Sequence, residues 1–169
     1  GPHAGKAPYA QASAFCATKH AVHAFTEALR QELIGRDIHA CIVAPASVDT
    51  PLFQHAANYT GREIEAMGPL YSPEQVAGAI VACAKRPRRE VLVGAMPRLQ
   101  SMAHTSAPGV YERVEPKLVE QDHLGKEARD DSEGNLYKTR EPHAVQGGWR
   151  EKKQSGSWWP ALFAATVRR

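Results

Sequence analysis

The sequence predicts an α/β fold, and three observations carry the prediction. Apolar residues recur at helical spacing over residues 13–34. A nearly continuous apolar run, Ile38 and His39 to Ala44, suits a strand buried on both faces, as in a parallel sheet. A capped helix and a second short apolar run follow it. Strand, helix and strand in that order predict one right-handed crossover unit.

Taken in order, the first helix has Ser13 as its N-cap and Gly35 where a C-terminal glycine closes the last turn. Val22, Phe25, Leu29 and Leu33 mark its buried stripe, and Phe15 lies one turn before Lys19 on the same side. The strand ends at Pro45, which cannot continue a ladder. Residues 46–72 are loop-like, with Pro51, Gly61, Gly68 and Pro69, and Leu52 to Asn58 as a short helix. Ser72-Pro73-Glu74 starts the next helix, which runs to about Lys85. Glu90 to Gly94 is the second strand. Leu99 to Leu124 is helical, broken at Pro108-Gly109 and Pro116. Gly125 to Ser157 is polar without an apolar period and is read as largely irregular. The division is therefore residues 1–96 as an α/β part and 97–169 as a helical, then irregular, extension.

Composition narrows the function classes. Net charge is +3 over 169 residues, with basic residues spread along the chain, too weak a basis for nucleic-acid binding. Trp158 to Val167, interrupted by Pro160, is about half the ~20 residues needed to span a bilayer. Packing is preferred for it over anchoring, and no membrane association is expected. With no secretory leader visible and three scattered cysteines (Cys16, Cys41, Cys83), a reducing cytoplasmic setting is expected, with the thiols as small buried hydrophobes. His20 and His23 have a spacing that could hold a metal, but no third ligand is evident, so none is predicted. Arg86 to Arg89 reads as a solvated helix end.

Two motifs carry chemistry. Phe15-Cys-Ala-Thr-Lys19 opens a helix, and Pro45-Ala-Ser-Val-Asp-Thr-Pro51 directly follows a buried strand. With Ala-Thr-Lys-His-Ala-Val, Glu-Ala-Leu-Arg-Gln-Glu-Leu and Pro8, residues 3 to 95 resemble the short-chain dehydrogenase/reductase family. The resemblance implies a doubly wound Rossmann-type fold, of which this is a C-terminal part, binding NAD or NADP and acting on a small-molecule carbonyl or alcohol. It implies a tyrosine at position 15 as proton donor or acceptor. Lys19 would lower that tyrosine's pKa and bond the nicotinamide ribose. Pro45, Ser47 and Val48 would approach the carboxamide, and Thr50 would bond the carboxamide or pyrophosphate. Phe53, His55, Asn58, Tyr59 and Met67 would shape a lid over the substrate.

The departures from that pattern decide the expected activity. Phe15 has no hydroxyl and can neither give nor take a proton. Tyr9 lies upstream of the helix and off the Lys19 face. The family's serine falls near Pro2, and no Gly-x-Gly-x-x-Gly loop is present. Ala46 stands where glycine is usual, a mild departure. Natural loss of the tyrosine and a deliberate Tyr→Phe change are both open. The chain is read as a fragment inactive alone, with negligible NAD(P) binding, completed by a missing N-terminal half or by a homo-oligomer. The alternative is a non-catalytic pseudoenzyme or interaction module pairing with an active homologue.

Overall fold

A computed structural model describes residues 3–141 and 143–154; Pro2 and Trp158 to Val167 lie outside them. A 3₁₀ turn at His3–Gly5 leads to helix α1, Ser13–Glu32. Ser13 is the first helical residue rather than the cap: Ala12 holds the N-cap position, and no side chain caps the helix. Gly35, at φ +83°, lies just beyond the final turn and takes a left-handed conformation open to glycine.

The buried stripe of α1 is not the predicted one. Val22 and Phe25 are 47% and 68% exposed, Leu29 and Leu33 are half-buried, and the buried residues are Cys16 and His23. The reason lies in what the helix packs on. It meets the 3₁₀ turn, where a Cβ on Gly5 would lie 2.3 Å from the His23 ring, so only glycine lets the two elements approach. The flank bearing Val22 and Phe25 has no such neighbour among the described residues.

Strand β1, Ile42–Pro45, is shorter than predicted and starts after the exposed Ile38. Burial alternates along it, so one face is buried and the other half-buried. Pro45 closes the strand opposite Val93, and the Ala46 N–H makes the next ladder bond, to the Val93 carbonyl. Helix α2, Leu52–His55, occupies the first part of the loop. Helix α3, Pro73–Lys85, begins as the sequence indicates, with Ser72 and Gln75 exchanging side-chain-to-backbone bonds in a capping box. Strand β3, Glu90–Val93, pairs in parallel with β1. The chain is thus mixed α/β, with a short parallel sheet flanked by helices, as in part of a Rossmann-type fold.

The second half departs further from expectation. Helices α4, Met96–Ser106, and α5, Pro108–Asp122, break at Ala107, with Pro108 in the first turn of α5. Pro116 lies inside α5 without ending it. The segment read as irregular begins with strand β4, Leu124–Ala128, paired antiparallel to β2, Arg62–Ile64. Arg62 reinforces the pair by donating from Nε to the Gly125 carbonyl and from Nη2 to the Leu124 carbonyl. A last short helix, α6, spans Trp149–Gln154. Among the described residues no helix is long and apolar enough to cross a membrane.

Candidate functional site

Phe15 and Lys19 emerge one turn apart on α1, and the Lys19 ammonium lies 5.1 Å from the centroid of the Phe15 ring. That contact is a cation–π pair, the attraction left to a lysine beside a ring that has no hydroxyl. No described carboxylate pairs with Lys19. Tyr9 lies before the helix, yet its ring stands 6.5 Å from that of Phe15. Burial, with Cys16 and Glu115 nearby, pushes the Tyr9 hydroxyl up to about 12, so it stays protonated across the neutral range.

The turn after β1 is held by a second segment of backbone. The Tyr71 N–H donates to the Ser47 carbonyl and the Asp49 N–H to the Tyr71 carbonyl, with Val48 bridged to Tyr71 between them. The Thr50 N–H folds back onto the Val48 carbonyl at 2.9 Å. No described residue bonds the Ser47 or Thr50 hydroxyl or the Val48 N–H. These groups and the Lys19 ammonium are the polar atoms of the two motifs that could hydrogen-bond a ligand.

Asp49 is 4% exposed and is committed to the end of the described chain. Its carboxylate accepts the Trp149 N–H at 2.9 Å and the Arg150 N–H at 3.3 Å, capping α6 from a position 100 residues earlier. The Trp149 indole N–H donates to the Thr50 carbonyl, and the Gln54 amide to the Gly147 carbonyl. A Cβ on Gly147 would lie 2.5 Å from the Thr50 carbonyl oxygen. A strap from Gly147 to Arg150 therefore lies directly on the turn.

A row of rings joins the two motifs. Tyr9 stands 6.4 Å from His123, His123 5.1 Å from Phe53, and Phe53 6.3 Å from Trp149, all inclined edge to face. Burial holds His123 below its ordinary value of 6.5. Its Nδ1 lies against the Glu65 carbonyl, which can only accept, so Nδ1 carries a proton. Glu115 of α5 accepts the Ala10 N–H at 3.0 Å, and the Tyr111 hydroxyl donates to the Pro8 carbonyl, fixing the segment ahead of α1. Burial raises the Glu115 carboxyl.

Of the residues expected in a lid, Phe53 joins the ring row and His55 lines an open cleft of about 340 Å³ with Thr50, Asn135 and His143. Asn58 is buried and orders its own loop through Thr60 and the Arg62 carbonyl. Tyr59 is exposed and Met67 half-buried. The His20 Nδ1 lies 2.9 Å from the Cys16 carbonyl, and His23 packs on Gly5. No three metal-ligating side chains cluster among the described residues.

Sequence reasoning missed Asp49, His123, Glu115 and Trp149. Their partners lie 58 to 105 residues away, beyond any local period. One signal was present: the Gly147-Gly148 pair ahead of a tryptophan marks a close backbone approach.

Residues 2–60 match the family model for short chain dehydrogenases. That segment, which holds Phe15, Lys19 and the Pro45-to-Pro51 turn, is similar to short chain dehydrogenases. An uncharacterized oxidoreductase, YxnA, of Bacillus subtilis is 27% identical over 129 residues, covering 74% of this chain and 36% of its own. Dehydrogenase/reductase SDR family member 7B of Bos taurus is 34% identical over 107 residues, 60% of this chain and 33% of its own. A Drosophila melanogaster SDR family protein 7-like sequence is 30% identical, over 53% of this chain and 28% of its own. The chain thus spans about a third of the length of the curated relatives it matches. No solved structure matches it. The short chain dehydrogenase model stops in the loop between α2 and β2, whereas a span of 74% of the chain must take in α3, β3, α4 and α5.

Two measurements test this geometry. Asp49→Ala leaves the buried Trp149 N–H and the part-buried Arg150 N–H without their acceptor, at a cost of about 1–2 kcal/mol. The expected result is a lower thermal midpoint and faster amide exchange at Trp149 and Arg150; unchanged exchange there would contradict the cap. For His123, the unfolded chain binds a proton more readily than the folded one. Its contribution is intact above about pH 6.5 and is lost as pH falls toward the depressed folded value. His123→Phe should therefore flatten part of the decline in thermal midpoint between about pH 7 and 5. His23, also held low by burial, should retain the rest.

Proposed function

We propose that this chain carries the nicotinamide-side portion of an NAD(P)-dependent oxidoreductase acting on a small-molecule carbonyl or alcohol. We propose also that Phe15 leaves it without its proton donor. The observation that carries the reading is the Lys19 ammonium 5.1 Å from the Phe15 centroid: a cation stands beside the ring where the chemistry needs a phenol. A hydroxyl on that ring would have its pKa lowered by the ammonium and could exchange a proton near neutral pH. The nicotinamide, when bound, supplies hydride transfer. Lys19 would hold the ribose, and the Val48 N–H with the Ser47 and Thr50 hydroxyls would orient the carboxamide beside Pro45. Either NAD or NADP is compatible, because no residue in this reading meets the 2′ position of the adenosine ribose.

Residues 1–96 in this reading are the C-terminal part of a Rossmann domain, and 97–169 an extension attached through β4, α5 and the strap. The test joins a front half with a glycine-rich loop to this chain and compares Phe15 with Phe15→Tyr. Carbonyl reduction by NAD(P)H should rise by at least ~10²-fold with the tyrosine. No gain would sink the enzyme reading. The chain alone should bind NAD(H) and NADP(H) more weakly than about 1 mM by titration, since its sequence has no Gly-x-Gly-x-x-Gly loop.

A second reading rests on the exposed flank of α1. Val22 and Phe25, with Ala14, Ala17, Ala21 and Ala28, form an apolar face that suits pairing with another copy or with an active homologue, in a non-catalytic role. Phe25→Asp should then reduce the sedimentation-derived mass to that of a monomer without lowering the helix content. A wild-type chain that is already monomeric at high concentration would remove self-pairing.

A further inference from the structure

At the end of β1 remote from the Pro45 turn, two of the three thiols converge. Cys41 immediately precedes the strand, and the pairing of Ile42 with Glu90 sets residue 41 alongside Arg89. The Ile42 N–H donates to the Arg89 carbonyl at 3.2 Å, and Arg30 of α1 clamps both chains by donating to the Ala40 and Arg89 carbonyls. From the other side, the buried Cys83 of α3 directs its sulfur to the Arg88 carbonyl, 3.9 Å away. Residue 41 and the Cys83 sulfur thus flank the same Arg88–Arg89 backbone. Cys41 is half-buried, which leaves a small oxidant one approach; Cys83 is covered. Cys16 belongs elsewhere, with its sulfur turned to the Tyr9 carbonyl.

We propose that Cys41 and Cys83 are a modification site, forming a reversible disulfide with hydrogen peroxide as the oxidant. The Cys41 thiolate attacks one peroxide oxygen, the O–O bond breaks, and hydroxide leaves and takes up a proton. The Cys83 thiolate then attacks the Cys41 sulfur, forming the S–S bond and releasing the sulfenic oxygen as a second hydroxide, which is likewise protonated. Two thiols are oxidised by two electrons, and one peroxide is reduced to two waters. Burial and the neighbouring Cys83 hold the Cys41 thiol above its ordinary value, partly offset by Arg30, so the first step is slow at neutral pH. The bond would close the loop of residues 42–82, which contains the turn at Pro45 to Thr50, and would restrict the unfolded chain more than the folded one.

The test oxidises the wild-type chain with peroxide under native conditions and, in parallel, in guanidinium, then alkylates, digests and weighs the peptides. The Cys41–Cys83 peptide should exceed either pairing with Cys16 by roughly tenfold in the native sample, and the three pairings should be comparable in guanidinium. Dithiothreitol should restore both thiols, and the thermal midpoint of the oxidised chain should rise by several degrees. In Cys83→Ser, the oxidised Cys41 should instead be captured by dimedone. Native pairing through Cys16 in comparable yield, or irreversible oxidation of Cys41 without a cross-link, would overturn the proposal.

Discussion

The Asp49 carboxylate is the constraint on which the arrangement of the two halves depends. A buried carboxylate is costly unless its oxygens are satisfied, and here both oxygens accept backbone N–H groups from the start of α6. The bond pair does two things at once. It satisfies a helix end that its own sequence does not cap, and it draws the last described segment onto the turn that follows β1. The Trp149 indole, the close fit of Gly147 and the Gln54 amide then register the strap on Thr50 and α2. Trp149 meets Phe53, which meets His123, which meets Tyr9, so the ring row extends this anchor to the start of α1.

α5 provides the second tie between the halves. Glu115 and Tyr111 hold the carbonyl and N–H groups of Pro8 and Ala10, while β4 pairs with β2. The Phe15–Lys19 and Pro45–Pro51 motifs are thus held in place by residues that follow them in sequence. The motifs supply chemistry-bearing groups; the segment from Met96 onward supplies much of what fixes their position.

What was legible in the sequence follows from range. α1, α3, β1 and β3 are written in spacings of a few residues: the Phe15–Lys19 turn, the Ser72–Gln75 box, and the apolar runs before Pro45 and Gly94. Each is recovered in the structure, with ends displaced by a few residues. The orientation of α1 was not legible, because Val22 and Phe25 are as apolar as a core stripe and only the packing partner decides which face is buried. β2 and β4 were missed because Glu63 and Lys126 break any apolar alternation and the pair is stabilised by Arg62 reaching across to the Leu124 and Gly125 carbonyls. Pro116 misled for a related reason: a proline removes one helical bond, and α5, packed on Ala10 through Glu115, continues past the loss.

The strap on Asp49 and Thr50 bears on how such a sequence persists. Substitutions at this turn would disturb the tail's attachment as well as any cofactor contact, so selection for a folded chain alone could retain the Pro45-to-Pro51 signature. Phe15 carries no comparable duty, since a ring without its hydroxyl still packs against Tyr9 and Lys19. A change at position 15 and retention of the Pro45-to-Pro51 turn are thus physically independent of each other.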